Sequence, residues 1–171
     1  MHRWTRRASF LLVPGLVATG RPAAAEPLWQ AELRMGYGLA VSGSGTAMST
    51  RASPLMVAAT IAMAVEDTPP LAGYGGLVVE TLDRNAAGAV FGVRMASENS
   101  RLRLAGGGIW LIAPYSIYGA TASVGACTHL SRRVGLCGDV QLTAYIAGSD
   151  LADGHTVTQG QLVAGMVFDG P

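Results

Sequence analysis

The chain has 171 residues, of which 50% are hydrophobic and only 13% are charged, and it contains 23 glycines, two cysteines and no lysine. Its formal net charge is +1, and removing residues 1–25, which hold four arginines and no acidic residue, changes that charge to −3. This balance excludes nucleic acid as an expected partner, and the lack of an uninterrupted apolar run of 18 residues in the remainder excludes a spanning helix there.

Residues 1–25 have the pattern of a secretory signal peptide. Three arginines precede the apolar run FLLVPGLVATG, and the small-residue segment RPAAAEP follows it. This order predicts export with cleavage after Ala25. An N-terminal membrane anchor is less favoured, because the run is about half the roughly 20 residues that a spanning helix needs. The sequence therefore predicts one mature domain, residues 26–171.

The first segment of that domain, residues 32–42 (ELRMGYGLAVS), alternates with period two. One face is charged or small, and the other is apolar: Leu33, Met35, Tyr37, Leu39 and Val41. Alternation of this kind predicts a β-strand. Its length is informative too, since soluble strands usually have about five or six residues and tilted membrane strands about nine to eleven.

Residues 88–97 and 135–148 repeat this alternation, and five less regular segments have compatible lengths: 54–66, 74–82, 101–113, 116–129 and 157–168. Eight strands, an even number, predict an all-β, antiparallel up-and-down β-barrel. The alanines and methionines of 54–66 would also suit a buried helix, but Val57, Thr60, Ile61 and Val65 favour a strand. The connections at 43–53 and 148–157 are predicted to be the longest external loops. The register around Gly106–Gly108 is ambiguous, and a bulge is possible there.

Cys127 and Cys137, the only cysteines, flank the sixth connection. With a three-residue loop at Ser131–Arg133, they lie directly opposite each other on consecutive strands, at a separation that a disulfide tolerates. An oxidising compartment permits the bond. The alternatives are weaker, because a redox pair needs closer spacing and a metal site needs more ligands than His129 can add.

The polar face of the strands predicts a charged barrel interior. The inward set contains Glu32, Arg34, Glu80, Arg94, Arg101, Arg103 and Asp139. Side chains fill the interior of an eight-stranded barrel, and buried charges need partners. We therefore expect a network of ion pairs among Glu32, Arg34, Arg94, Arg103 and Asp139. The aromatic residues expected at the membrane interfaces are Trp29, Tyr37, Trp110, Tyr115, Tyr118 and Phe168.

No metal site, cofactor motif or convincing catalytic group is found. His155, near Ser149, Asp150 and Asp153, is the one candidate for hydrolase chemistry. The glycine-rich segments lack the following helix and lysine of a phosphate loop. We therefore expect no enzymatic activity, no cofactor and no catalytic residue.

With the segments RPAAAEP, ELRMGYGLAVS and QLVAGMVFDG, the chain resembles small eight-stranded outer-membrane barrels of Gram-negative bacteria. The cysteine hairpin is also similar to hairpins in uncharacterised exported proteins of myxobacteria. The resemblance implies an outer-membrane location, contact with outer-membrane lipid and with the barrel-assembly machinery, and a structural, adhesive or envelope-maintenance role. Members commonly end at an aromatic residue used in assembly, whereas Phe168 is followed here by three further residues.

Two other functions are compatible with the sequence. A soluble periplasmic barrel that binds a small apolar ligand would turn its apolar faces inward. A lipid-modifying enzyme of the outer membrane would use His155.

Overall fold

The computed structural model describes residues 29–44, 47–64, 71–82, 85–96, 102–114 and 116–170. The regular elements in these ranges are all β-strands: β1 (Trp29–Ser44), β2 (Ala47–Ala52), β3 (Leu55–Ala64), β4 (Leu71–Thr81), β5 (Ala86–Ala96), β6 (Leu102–Ala113), β7 (Ile117–His129), β8 (Val134–Gly148) and β9 (Thr156–Asp169). Within these ranges, no helix is long and apolar enough to cross a membrane. The predicted signal peptide, Val65, Arg101 and Tyr115 lie outside the described residues.

Eight strands form a closed antiparallel barrel. Each strand from β3 to β8 pairs with the next, and β1 pairs with β3. β1 also pairs with β9 along most of its length, from Gln30 opposite Asp169 to Gly43 opposite Thr156. This last pairing closes the sheet on itself and removes the free edges of the eight strands. The predicted fold class is therefore confirmed. We call the end of the barrel where β1 begins and β9 finishes the terminal end, and the other the opposite end.

Residues 43–53, which were predicted to be a loop, contain the additional strand β2, which extends the first hairpin. All six of its residues pair with β1, and all six are exposed. A sequence pattern based on a buried face could not reveal such a strand, because neither of its faces is covered. Only residues 45 and 46 lie between β1 and β2.

β2 and β3 are two parts of one strand that is interrupted by a bulge. Gly36 of β1 pairs with Met56 and Leu39 pairs with Ala52, so three steps along β1 correspond to four along its partner. The extra residue falls at Ser53–Pro54, where proline lacks an N–H for the ladder. Ser53 provides the hydrogen bonds to β1 at this interruption of the ladder. Its N–H donates to the Gly38 carbonyl at 2.9 Å, and its hydroxyl accepts from the Gly38 N–H at 2.9 Å.

We predict that Ser53→Ala destabilises the protein by about 1–3 kcal/mol, because it leaves buried donors without their acceptor. The Ser53 hydroxyl is buried and also accepts from the Gln161 amide at 3.1 Å. The change in unfolding free energy would be measured by urea titration in lipid vesicles. Ser49→Ala, on the exposed β2, is the matched control. An equal effect of the two substitutions would contradict the role of Ser53 at the bulge.

The doubtful segment 54–66 is a strand, not a helix. Met56, Ala58, Thr60 and Ala62 alternate inward along β3, whereas a helix would bury positions three or four apart. β4 begins at Leu71, three residues before the predicted start.

The ambiguous register around Gly106–Gly108 is regular. Gly106, Gly107 and Gly108 pair in order with Val93, Gly92 and Phe91, and the register shifts lie elsewhere, at Ala87/Gly88 and at Tyr118/Gly119. A Cβ on Gly107 would lie 2.0 Å from the Phe91 carbonyl oxygen. Close approach of β5 and β6 therefore requires glycine here.

The apolar faces of the strands point outward. Along β8, Leu142 and Ile146 are 54% and 63% exposed, whereas Gln141 and Thr143 are 5% and 1% exposed. The same alternation places the apolar residues of β1 and β5 on the outer wall, as the sequence predicted. The barrel therefore has an apolar exterior, the reverse of a water-soluble protein. Its interior holds buried charged and polar residues as well as an apolar cluster.

Candidate functional site: the charged lumen

Five inward-facing residues on four strands form a charged cluster near the terminal end of the barrel. Glu32 and Arg34 lie two residues apart on β1, so they share a face, and Arg94, Arg103 and Asp139 project inward from β5, β6 and β8. These are the five residues expected from the sequence to form an ion-pair network. The structure brings all five together.

Two carboxylates bridge three guanidinium groups in this cluster. Arg103 donates from Nε to Asp139 Oδ1 at 2.7 Å and from Nη2 to Glu32 Oε1 at 2.7 Å, and Nη2 also contacts Asp139 Oδ2. Arg34 Nη2 donates to Asp139 Oδ2 at 3.0 Å, and Arg94 Nη1 donates to Glu32 Oε2 at 3.4 Å. Charge-assisted bonds of this kind compensate part of the cost of burying the charges.

A further chain of polar contacts, not expected from the sequence, links the cluster to the terminal end. Arg94 donates to Gln30 Oε1, and Gln30 Nε2 donates to Asp169 Oδ1 at 2.6 Å. Asp169 Oδ2 lies 3.0 Å from His129 Nε2. The alternation of the strands contains a signal for these contacts. Gln30 lies on the same face of β1 as Glu32, and Asp169 lies on the face of β9 opposite to the outward-facing Phe168.

Glu80 is buried, as expected for an inward residue, but it does not join the five-residue cluster. It accepts a hydrogen bond from the Tyr145 hydroxyl at 2.6 Å. Arg101 is outside the described residues. The interior charges therefore occupy two levels of the barrel.

Side chains fill the remaining interior. Thr121, Gln141 and Thr143 form one hydrogen-bonded group, with 3.3 Å between the two threonine hydroxyls and 3.2 Å from the Gln141 amide to Thr143. Apolar side chains pack at the level of Glu80, among them Met56, Val78, Ile109 and Leu111. The cavity within the charged cluster has a volume of about 10 Å³, whereas ligand pockets have roughly 300–1,000 Å³. This cavity therefore has no room for an apolar ligand.

A disulfide joins Cys127 and Cys137 across the β7–β8 hairpin. The two residues are directly opposed in the ladder, and the Leu130 N–H donates to the Val134 carbonyl at 2.9 Å around the tight turn. This is the arrangement that the cysteine spacing predicted. Among the described residues, no group of three or more His, Cys, Asp or Glu side chains could hold a metal ion.

We predict that Cys127→Ser/Cys137→Ser lowers the unfolding free energy by about 2–3 kcal/mol, because the unfolded chain regains the freedom of a loop of about eleven residues. Urea titration with and without a reductant would measure the loss. The reductant should destabilise the parent protein and leave the double variant unchanged. A reduced parent protein, verified by thiol titration, that remains as stable as the oxidised one would contradict the prediction.

The β8–β9 connection does not assemble a catalytic triad. His155 Nδ1 lies 3.4 Å from the Asp153 carbonyl oxygen, and the Ser149 hydroxyl donates to Asp150 Oδ2 at 2.9 Å. Within the described part of the chain, no hydrogen bond joins His155 to the Ser149 hydroxyl or to a carboxylate. Asp150 stabilises the loop instead, because its Oδ2 also accepts a hydrogen bond from the Ser116 N–H at 3.0 Å.

Aromatic residues lie on the outer wall near both ends of the barrel. Trp29 and Phe168 are at the terminal end, and Trp110 stacks on Tyr118 towards the opposite end, with ring centroids 5.5 Å apart. Tyr37 is also on the outer wall. Two bands of this kind are typical of membrane barrels.

Comparisons with known proteins show a similarity in structure. No protein-family model matches the chain, and no curated protein matches it. Among solved structures, the chain is similar to Neisserial surface protein A, with a TM-score of 0.54 and 9% sequence identity. The similarity covers 82% of this chain and 96% of that one. At this level of identity, it supports the fold alone.

Proposed function

We propose that this chain is a non-enzymatic outer-membrane β-barrel protein with a structural, adhesive or envelope-maintenance role. The observation that carries the proposal is the apolar outer wall of a closed barrel. Residues such as Leu39, Leu77 and Leu162 are more than half exposed on it, while the five-residue charged cluster lies inside. Such a wall is costly in water and favourable in a bilayer core. The similarity to a protein described as a surface protein agrees with this location.

The lumen supports a structural role over transport. Guanidinium and carboxylate groups cross-link four strands in its terminal half, and side chains occupy the remainder. In an eight-stranded barrel this packing leaves no aqueous channel. The interior therefore stabilises the barrel, and contacts with other molecules fall to the outer wall and the two ends.

The soluble alternative, a periplasmic barrel that carries an apolar ligand, is not favoured. It requires the apolar faces of the strands to turn inward around a cavity of ligand size, whereas these faces point outward and the cavity within the charged cluster has a volume of about 10 Å³. The enzymatic alternative required His155 to converge with a nucleophile and a carboxylate, and the observed loop contacts do not do this.

The proposed partners follow from this placement. Outer-membrane lipid would cover the wall, and the barrel-assembly machinery would insert the chain. An external partner, whose identity is unknown, would contact the opposite end through the β1–β2 hairpin and the connection at 148–157. No nucleic acid is involved.

Membrane fractionation tests the proposed location. The expressed chain should be recovered in the outer-membrane fraction and should migrate differently in electrophoresis before and after boiling, because a closed barrel resists the detergent until it is heated. Recovery in the soluble periplasmic fraction, with one mobility under both conditions, would overturn the proposal.

A further inference from the structure

We propose that the turn between β7 and β8 binds the headgroup of an anionic phospholipid, with Arg132 and Arg133 as the groups that bind its phosphate. The proposal rests on the membrane location proposed above and names a ligand within it: a diacyl lipid whose headgroup has a net negative charge, such as phosphatidylglycerol. The turn lies at the terminal end of the barrel, where the apolar wall ends.

The two arginines of this turn are available to a ligand. Arg132 and Arg133 are exposed, and within the described part of the chain neither guanidinium group forms an ion pair, whereas the three arginines of the lumen are bound to carboxylates. Asp169 is beside the turn, because its N–H donates to the Arg133 carbonyl at 2.9 Å. Its carboxylate, however, is only 9% exposed and is bound to Gln30 and His129. It therefore leaves the two positive charges open to an anionic group.

Apolar side chains surround the base of the turn. Leu130, in the turn itself, is 65% exposed, and Leu136 and Phe168 are both 42% exposed on the outer wall. Phe168 lies directly opposite Val134, the first residue of β8. Arginines at the edge of an apolar wall keep their charged groups at the level of the lipid headgroups, while acyl chains cover the wall. The arrangement therefore suits both parts of a phospholipid, whereas free phosphate would use only the arginines.

The backbone of the turn is held in place before a ligand binds. The Leu130 N–H donates to the Val134 carbonyl at 2.9 Å, and the Ser131 hydroxyl accepts from the N–H groups of Arg133 and Val134 at 3.3 and 3.1 Å. The disulfide closes the same hairpin. Such preorganisation lowers the entropic cost of binding. Guanidinium groups bind phosphate oxygens in pairs, and the ammonium group of a zwitterionic headgroup would repel them, so an anionic lipid is preferred.

The test identifies the lipids that stay bound when the protein is released from nanodiscs of equal parts phosphatidylglycerol and phosphatidylcholine, by native mass spectrometry. Two arginines near a membrane surface predict that phosphatidylglycerol is retained in preference by a factor on the order of ten. Arg132→Gln and Arg133→Gln should each lower this preference about threefold, and the double variant should remove it. Arg51→Gln takes the same charge from the exposed β2, at the opposite end, and should retain lipids as the parent protein does.

The outcomes separate this site from the membrane location on which it rests. Equal retention of the two lipids by a parent protein that has entered the nanodiscs would overturn the lipid site and leave the membrane location intact. An equal loss of preference in Arg51→Gln would also overturn it, since any surface charge would then suffice. Displacement of the bound lipid by soluble glycerol phosphate would assign the arginines to free phosphate instead. A chain that does not enter nanodiscs at all would overturn both proposals.

Discussion

Replacing Asp139 with alanine is expected to lower the unfolding free energy by about 3–5 kcal/mol, the cost of removing one partner from a buried ion pair. The Asp139 side chain has no exposed surface and accepts hydrogen bonds from both Arg34 and Arg103. Its loss would leave two guanidinium groups with Glu32 as their remaining carboxylate in the cluster. Urea unfolding in lipid vesicles, followed by tryptophan fluorescence, would measure the effect.

Two further variants separate charge compensation from general damage to the lumen. Asp153→Ala removes a carboxylate from the exposed β8–β9 connection and should be neutral within about 0.5 kcal/mol. Adding Arg103→Met to Asp139→Ala should restore part of the lost stability, because one uncompensated charge is removed with it. If Asp139→Ala costs less than about 1 kcal/mol, or if the second substitution only adds to the loss, charge compensation among these five side chains does not stabilise the barrel.

The second large effect is expected on the outer wall. Leu142→Arg should destabilise the membrane-inserted protein by about 2–4 kcal/mol, as a charge near the bilayer midplane does. Leu142 is central in β8, faces outward and is more than half exposed. In a water-soluble protein, a substitution at such an exposed position would change stability by only about 0.5 kcal/mol. The size of the effect therefore distinguishes lipid from water around the barrel.

Leu130→Arg is the matched control for this experiment. Leu130 is 65% exposed in the turn between β7 and β8, at the terminal end of the barrel. Near an interface the same substitution costs about 0–1 kcal/mol. Equal and small effects at Leu142 and Leu130 would indicate that the wall faces water.

Strand alternation made most of the fold predictable. In β8 every inward position from Cys137 to Tyr145 is buried, and the outward positions carry Leu136, Val140 and Leu142, so the pattern is visible in the sequence. The cysteine pair added a register, because two opposed residues fix the pairing of their neighbours in an antiparallel hairpin. Here this register holds from the turn as far as Gly119 opposite Tyr145, beyond which it shifts by one residue. The charged cluster followed from the same parity, since its five members share the inward face.

Other features could not be predicted from periodicity. β2 has no buried face, and the bulge at Ser53–Pro54 is a local adjustment whose partner, Gly38, is distant in sequence. The contacts of Asp169 depend on barrel closure, which brings the end of β9 beside the start of β1. Pairing between distant strands is a property of the whole barrel, so no local pattern of residues signals it.

The most direct test of the central claim, an apolar wall covered by lipid around a filled lumen, is a nuclear magnetic resonance measurement in lipid nanodiscs. Through-space transfer from lipid acyl chains to protein methyl groups should reach Ile61, Leu142 and Leu162 on the outer wall. It should not reach Val78 and Val163, which are buried inside. Transfer from water to the outer-wall methyls, with none from lipid, would contradict the claim.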